Sequence, residues 1–265
     1  MSESVLLSID ARGVATVTLN RPEKHNAFDD TLINELTRIF KQLGSDEQVR
    51  VVILAANGKS FCAGADLNWM RRMAEYSYEE NLKDANALAN MLWELNHLPK
   101  PTIARVQGAA YGGAVGLIAC CDMAIGSKMS KFCLSEVKLG LIPATISPYV
   151  VEAIGTRLAR RYFATAEVFS SRRARRIGLL SEAVTEEELD TNINDLVTQI
   201  LKNGPQAVAL AKQLIFDVAN RPISKALAEH TSESIAKVRV SPEGQEGLHA
   251  FLQKRPANWL QSDEG

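Results

Sequence analysis

The sequence predicts an α/β fold followed by an all-helical tail, and three observations predict it. Apolar runs of strand length, such as residues 50–56 (RVVILAA), alternate with segments whose apolar residues recur at helical spacing. Small-residue turns rich in glycine connect strands to helices at two places, residues 61–66 (FCAGAD) and 108–114 (GAAYGGA). From about residue 198 onward the pattern is helical only. Strands alternating with helices argue for βαβ units and hence for the α/β class.

Taken in order, residues 4–10 (SVLLSID) and 14–19 (VATVTL) are β-rich and flank a turn around Gly13, which predicts an opening hairpin. Asp29 or Asp30 is placed to cap a helix whose one face carries Leu32, Leu36, Ile39, Phe40 and Leu43. The run at 50–56 is continuous, as in a strand buried on both sides. A helix is expected around 79–96 (Leu82, Leu88, Met91, Leu92, Leu95), stopped by Pro99 and Pro101, and residues 102–108 (TIARVQG) return as a strand. A short apolar helix at 114–121, a strand near 122–126, and further short strands and helices follow. The tail reads as helices at roughly 205–219, 222–237 and 242–253, opened by Pro205, Pro222 and Pro242. A boundary near 197 divides a core (1–197) from a helical region (198–265).

Composition narrows the function classes. With 265 residues, 46% hydrophobic and 23% charged, the chain can bury a sizeable core, which excludes disordered, collagen-like and coiled-coil classes. Thirty Lys+Arg against 31 Asp+Glu give a net charge of −1, so bulk charge offers nothing to a polyanion. Cys62, Cys120, Cys121 and Cys133 show no CxxC spacing and are expected as reduced thiols. The first ten residues lack the charge and apolar run of a signal peptide, and no window approaches the ~18–20 apolar residues of a membrane span. The expected setting is cytoplasmic, without membrane. His25, His97, His230 and His249 fall at no metal-ligand spacing, so no metal is expected.

The two glycine turns carry the chemical signal. Each presents backbone N–H groups before a helix N-terminus, and two such turns can aim two N–H groups at one oxygen, forming an oxyanion hole. Neither is a phosphate loop or a Gly-x-Gly-x-x-Gly dinucleotide fingerprint.

At this point the residues resemble a family. Leu19-Asn20-Arg21-Pro22 with Asn26-Ala27, the stretch Phe61 to Asp66, Lys100 to Ala104, Gly108 to Gly113, Cys121-Asp122, Phe132 with Glu136 to Pro143, and Ala174 with Gly178-Leu179 follow in order and spacing. Together they are similar to the enoyl-CoA hydratase/isomerase (crotonase) superfamily over nearly the whole length. The resemblance implies a spiral of repeated ββα units with a C-terminal helical trimerisation region, assembled as a homotrimer or homohexamer. It implies an acyl-CoA substrate, coenzyme A being part of that substrate and no separate cofactor being needed. The oxyanion hole falls on Ala65 and Gly113. Coenzyme A contacts fall on Lys24, Ala27, Ala63, Ala65, Asp66 and Leu67, with Phe251 and Lys254 reaching from the tail, and the acyl pocket on Trp69, Tyr111, Gly116 and Ile142.

Hydratases of the family usually carry two glutamates. One falls on Glu136, the expected catalytic residue; the position of the other is Gly116. A single carboxyl supports either syn hydration, in which it shuttles a proton from water to C2, or a Δ3,Δ2-enoyl-CoA isomerisation between C2 and C4. The stretch Leu134 to Pro148, with Tyr111 to Leu117, looks like the bacterial subgroup that hydrates 3-methylglutaconyl-CoA in leucine degradation. Relatives with the same look handle isohexenylglutaconyl-CoA in acyclic terpene degradation. Gly116 is expected to free space beside C3 for a branch, and Arg71 or Arg72 to meet a distal carboxylate. A different class of reading comes from seven arginines between Arg157 and Arg176, a basic patch of the kind that binds RNA; Glu182, Glu186, Glu187, Glu188 and Asp190 close behind are placed to neutralise it, and no aromatic interleaving there suggests base stacking.

Overall fold

A computed structural model describes residues 4–260; residues 1–3 and 261–265, the outer ends of the two predicted regions, lie outside the described residues. The expected hairpin forms: β1 (Val5–Ile9) pairs antiparallel with β2 (Val14–Leu19), Val5 opposite Leu19. In β2 the residues Ala15, Val17 and Leu19 are fully buried, the period of two that a pleated strand imposes. Helix α1 (Asp30–Ser45) begins where the Asp29 carboxylate accepts from the Leu32 amide at 2.9 Å, so Asp29 is the cap. Its stripe of Leu32, Ile33, Leu36, Ile39, Phe40 and Leu43 is at most 2% exposed. At about 1.5–3 kcal/mol per buried large side chain, that packing fixes α1 more than helix propensity does.

β3 (Val51–Ala56) lies parallel to β2, and β4 (Thr102–Val106) parallel to β3. Between them run α2 (Leu67–Glu75) and α3 (Tyr78–Asn96), the latter started by a reciprocal capping box of Ser77 and Glu80. From β4 onward the chain feeds two sheets in turn. β5 (Ala109–Tyr111) opens a second sheet, α4 (Gly113–Cys120) crosses back, β6 (Met123–Ser127) joins the first sheet and β7 (Lys131–Cys133) the second. After α5 (Ser147–Ile154) and α6 (Thr156–Thr165) come β8 (Phe169–Ser170) on the second sheet, α7 (Ser171–Arg176), and β9 (Glu182–Val184) on the first. The first sheet has the order β1-β2-β3-β4-β6-β9, parallel except for β1, and the second the order β5-β7-β8. Strands enter each sheet in chain order, which is the expected spiral of strand–strand–helix units.

The first sheet is apolar on both faces. Val17, Val52, Leu54 and Ala104 face the main core with α1, α3 and α4. Val14, Val51, Ile103 and Ile125 face Leu189, Ile193 and Val197 of α8 (Leu189–Leu201). This double burial is what the uninterrupted run at 50–56 signals. Position 197 therefore lies within α8, on its sheet-facing side.

Beyond it the chain is helical: α9 (Pro205–Val218), α10 (Lys225–Arg239) and α11 (Pro242–Leu252). Pro205 and Pro242 occupy first helical positions, as expected. Pro222 does not: α10 starts three residues later, where Ser224 accepts from the Leu227 amide at 3.2 Å, because a side-chain acceptor satisfies a free amide and a proline does not. α9 is tied to the core by the His97 ring, stacked 3.6 Å from Trp93 and 4.8 Å from Phe216, and by Lys212 on Asp122 at 2.9 Å. Among the described residues no helix is long and apolar enough to cross a membrane.

Candidate active site

The two glycine turns are laced together side by side. Cys62 forms a parallel bridge with Ala110: the Tyr111 amide donates to the Cys62 carbonyl at 3.0 Å and the Cys62 amide to that of Ala109 at 3.1 Å. On its other side the first turn is held by Phe28, whose amide donates to the Gly64 carbonyl at 2.8 Å while its carbonyl accepts from Asp66 at 2.7 Å. These bonds use the groups on either side of Ala65 and leave its own amide with no acceptor among the described residues. Gly113 is the first residue of α4, so no carbonyl of that helix reaches its amide, and it too has no acceptor there. Gly112, at φ +56°, makes the reversal into α4 that a side chain would resist. The buried Phe28 ring lies under Gly113, where a Cβ would meet it at 3.3 Å.

Glu136 opens a short helical turn, residues 136–139, directly after β7, which pairs with β5 and so carries the carboxyl to the second glycine turn. A Cβ built on Gly112 would lie 3.3 Å from Glu136 Oε1. Its Oε2 is buried without a hydrogen-bond partner among the described residues. Burial pushes the Glu136 carboxyl above its ordinary pKa, a bond to its own backbone opposing this. The orphaned oxygen thus belongs to a carboxyl that lies against the second glycine turn, and a buried acceptor left unmade costs free energy until a donor arrives.

The walls are built from residues whose roles the sequence did not disclose. Asn26, fully buried at φ +54°, donates to the carbonyls of Asn57 and Ser60 at 2.9 Å and accepts from the Arg21 amide at 2.8 Å, fixing the Arg21–Ala27 segment against the first turn. Arg21 reaches Asp29 at 2.6 Å and Asp66 at 3.7 Å. Asp66 caps α2 through the Asn68 and Trp69 amides at 2.8 and 3.2 Å and faces Lys24 at 3.3 Å. Burial works against its ionisation, yet those amides and Lys24 hold its pKa below the usual value. Arg21 and Asn26 stood in the sequence as part of the family resemblance, and asparagine is a type that tolerates positive φ, but neither signal disclosed their hydrogen bonds and ion pairs; nothing in the spacing foretold Phe28.

Of the remaining expected residues, Ala63, Ala65 and Leu67 are exposed while Cys62, Gly64 and Asp66 between them are buried, so they form an open ledge. Ala27 is buried against it, and Lys24 is half-exposed on its rim. Trp69 is buried, its indole donating to Asp84 at 3.3 Å; Tyr111 is half-buried; Ile142 is exposed with Leu139 and Leu141. Phe251 and Lys254 lie at the exposed end of α11, which packs on α9 and α10. The space expected beside Gly116 is not there, because Ile146 fills it: a Cβ on Gly116 would fall 2.2 Å from Ile146 Cγ2. Arg72 pairs with Asp30 at 2.5 Å and Arg71 with Asn68 at 2.7 Å, so both candidates for a distal carboxylate already have partners.

The arginine cluster is partly neutralised within the chain. Arg161 pairs with Glu167, Arg175 with Glu182, and Arg173 donates to the Tyr162 hydroxyl, whereas Asp190 holds Arg105 instead. Cys62, Cys120 and Cys133 are buried free thiols, and burial raises Cys62 to about 12, which leaves no thiolate nucleophile at the first turn. A cleft of about 520 Å³ lies on the opposite, α8-covered face of the first sheet, but its polar side chains Arg105, Gln107 and Asp190 are paired with one another or with backbone.

Known proteins share this fold over nearly the whole chain. A structure from Legionella pneumophila, assigned to the enoyl-CoA hydratase/isomerase (crotonase) group, is 49% identical, with a TM-score of 0.92 over 97% of this chain and 99% of that one. An enoyl-CoA hydratase from Shewanella pealeana is 47% identical, with a TM-score of 0.94 over 97% of this chain and 96% of that one. The crotonyl-CoA hydratase of Syntrophomonas wolfei is 30% identical across 97% of this chain and 98% of its own length. Residues 10–262 match the family profile described as enoyl-CoA hydratase/isomerase, a span that holds both laced turns and Glu136, and the chain belongs to that family.

Proposed function

We propose that the protein adds water across the 2,3 double bond of a 2-enoyl-CoA, with Glu136 as the only acid/base carboxyl. The observation that carries this is the Glu136 carboxyl, one oxygen orphaned, beside a turn whose Gly113 amide has no acceptor. The thioester oxygen, held by the Ala65 and Gly113 amides, gains negative charge as water adds to C3; fixed donors stabilise that charge without reorganising. Glu136 takes the proton from water and delivers it to C2 on the same face. Its raised pKa suits both halves of that shuttle, since the carboxyl must be a base first and an acid second. The ledge of Ala63, Ala65 and Leu67 with Lys24 on its rim serves the coenzyme A moiety, whose phosphates need only a few cations.

The acyl group we assign is branched, 3-methylglutaconyl-CoA, on the likeness of the 134–148 and 111–117 stretches to that subgroup. With the Gly116 space filled, the branch has to be met by Trp69, Tyr111 and Ile142. The assembly we assign is a homotrimer or homohexamer built through the tail: α9 and α10 bury no residue within the chain, and Leu210, Ile215, Ile235, Phe251 and Leu252 stand exposed.

Turnover in ¹⁸O-water tests the reaction. Crotonyl-CoA and 3-methylglutaconyl-CoA should each give a labelled 3-hydroxyacyl-CoA, the branched substrate with the higher kcat/KM. Unlabelled product together with double-bond migration on a 3-enoyl-CoA would replace hydration by isomerisation; hydration of crotonyl-CoA alone would remove the branched assignment.

A further inference from the structure

Gly116 and Ile146 share one volume. Gly116 sits on the buried side of α4, and Ile146, 2% exposed, is the residue from which α5 departs. A Cβ on Gly116 would lie 2.2 Å from Ile146 Cγ2, 2.7 Å from its Cβ and 3.6 Å from its Cα. Even alanine at 116 is therefore excluded as long as Ile146 stands, and turning the side chain does not relieve the contact with Cβ. Isoleucine is in any case stiff at χ1. It is also among the poorest residues for an N-cap, the position it occupies, and its side chain makes no cap hydrogen bond there. What Ile146 supplies is thus its bulk rather than a start to α5.

The connection to Glu136 is direct. Ile146 ends the loop that Glu136 begins; the loop is closed at one end by the Leu141 amide on the Glu136 carbonyl at 3.1 Å, and at the other by the Ser147 amide on that of Ala144 at 3.1 Å. One segment therefore carries both the carboxyl and the group that occupies the Gly116 volume. By the family resemblance, that volume is where two-glutamate hydratases place their second carboxylate.

We propose that Ile146 is a specificity-determining residue: its side chain takes the volume of the second carboxylate, closes that wall with aliphatic carbon, and commits the site to one-carboxylate chemistry. This rests on the reading of Glu136 as the acid/base group. Restoring the second carboxyl takes two substitutions, one to bring the glutamate and one to remove the isoleucine. Glycine is the replacement of choice, since it removes the Cβ contact and is a better N-cap than isoleucine.

The test is a double-mutant cycle of wild type, Gly116→Glu, Ile146→Gly and the pair, read as thermal midpoint and as crotonyl-CoA hydration across pH. Gly116→Glu alone should lower the midpoint and lose at least tenfold in turnover. The double variant should regain most of that midpoint, hydrate crotonyl-CoA at least tenfold faster than either single variant, and show one more ionisation in its pH profile. A double variant no better than the product of the two singles, or a Gly116→Glu protein with wild-type midpoint and turnover, overturns the proposal. Glu136→Gln in the wild-type background separates the premise from the inference: if it keeps full turnover the Glu136 reading falls, while the midpoint coupling of 116 and 146 still reports whether they share a volume.

Discussion

Replacing Gly113 by proline takes the amide hydrogen out of the proposed oxyanion hole and puts the ring Cδ in its place. Gly113 is the first residue of α4, the helical position at which proline is best accepted, and its amide makes no bond that proline would break. The added Cβ would meet Phe28 Cε2 at 3.3 Å, so the ring has to give by a few tenths of an ångström. Gly113→Ala adds the same Cβ and keeps the N–H, so the ratio of the two variants reports the lost donor together with the blocking of the hole by the proline ring. Loss of one oxyanion donor lowers kcat by about 10²–10³, or about 2.7–4 kcal/mol of transition-state stabilisation, and the ring Cδ in the hole makes that the minimum loss expected of Gly113→Pro. KM should rise as well, because the ring Cδ stands where the carbonyl oxygen of the bound substrate would lie. The assay is the decay of the enoyl thioester's ultraviolet absorbance, run with circular dichroism to show that α4 persists. A folded Gly113→Pro enzyme within tenfold of Gly113→Ala would refute the assignment of this amide.

Other outcomes follow from the same geometry. Glu136→Gln should lower kcat by about 10²–10⁴ while leaving coenzyme A affinity, read by calorimetry, unchanged. Because burial raises the folded-state pKa of Glu136, its contribution to stability is present below the unfolded pKa and is lost as pH rises through the folded one. Glu136→Gln should therefore have the higher urea midpoint at neutral pH, with the gap narrowing as the pH falls toward the ordinary carboxylate range. The same shift places the acidic limb of wild-type kcat/KM above the usual glutamate value of about 4.3. Arg21→Ala, which leaves Asp29 and Asp66 without their shared cation at 18% and 9% side-chain exposure, should cost about 3–5 kcal/mol in urea unfolding; an effect under ~1 kcal/mol would mean that Lys24 and the helix caps suffice.

The elements legible in the sequence were those whose partners are close in the chain or repeat. The hairpin, the Asp29-capped α1 and the doubly buried β3 each follow from periodicity and one turn or cap residue. The two glycine turns were legible as turns, and the family resemblance put the two amides on Ala65 and Gly113; of these Gly113 is the first residue of a helix, which leaves its N–H free. Contacts across the chain were not legible. Ile146 lies in a non-periodic loop, so its occupation of the Gly116 volume became visible only when α4 and α5 were packed together, and the space read as open was closed. For Asp66 the resemblance offered a place on the coenzyme A wall, but that its carboxylate caps α2 and balances Arg21 and Lys24 was not legible. Pro222 misled for a similar reason: proline marks where a helix is permitted, but Ser224 supplies the acceptor that starts one.

The bridge between Cys62 and Ala110 has a mechanical consequence. Because the two turns are paired as neighbouring strands, the spacing between them is that of a β-ladder, about 4.8 Å, set by backbone hydrogen bonds and not by side chains. Any distortion that shifts one donor therefore carries the other with it. Side chains around the turns can drift through many substitutions without detuning the pair, whereas a one-residue insertion on either side of Cys62 would separate the donors at a stroke.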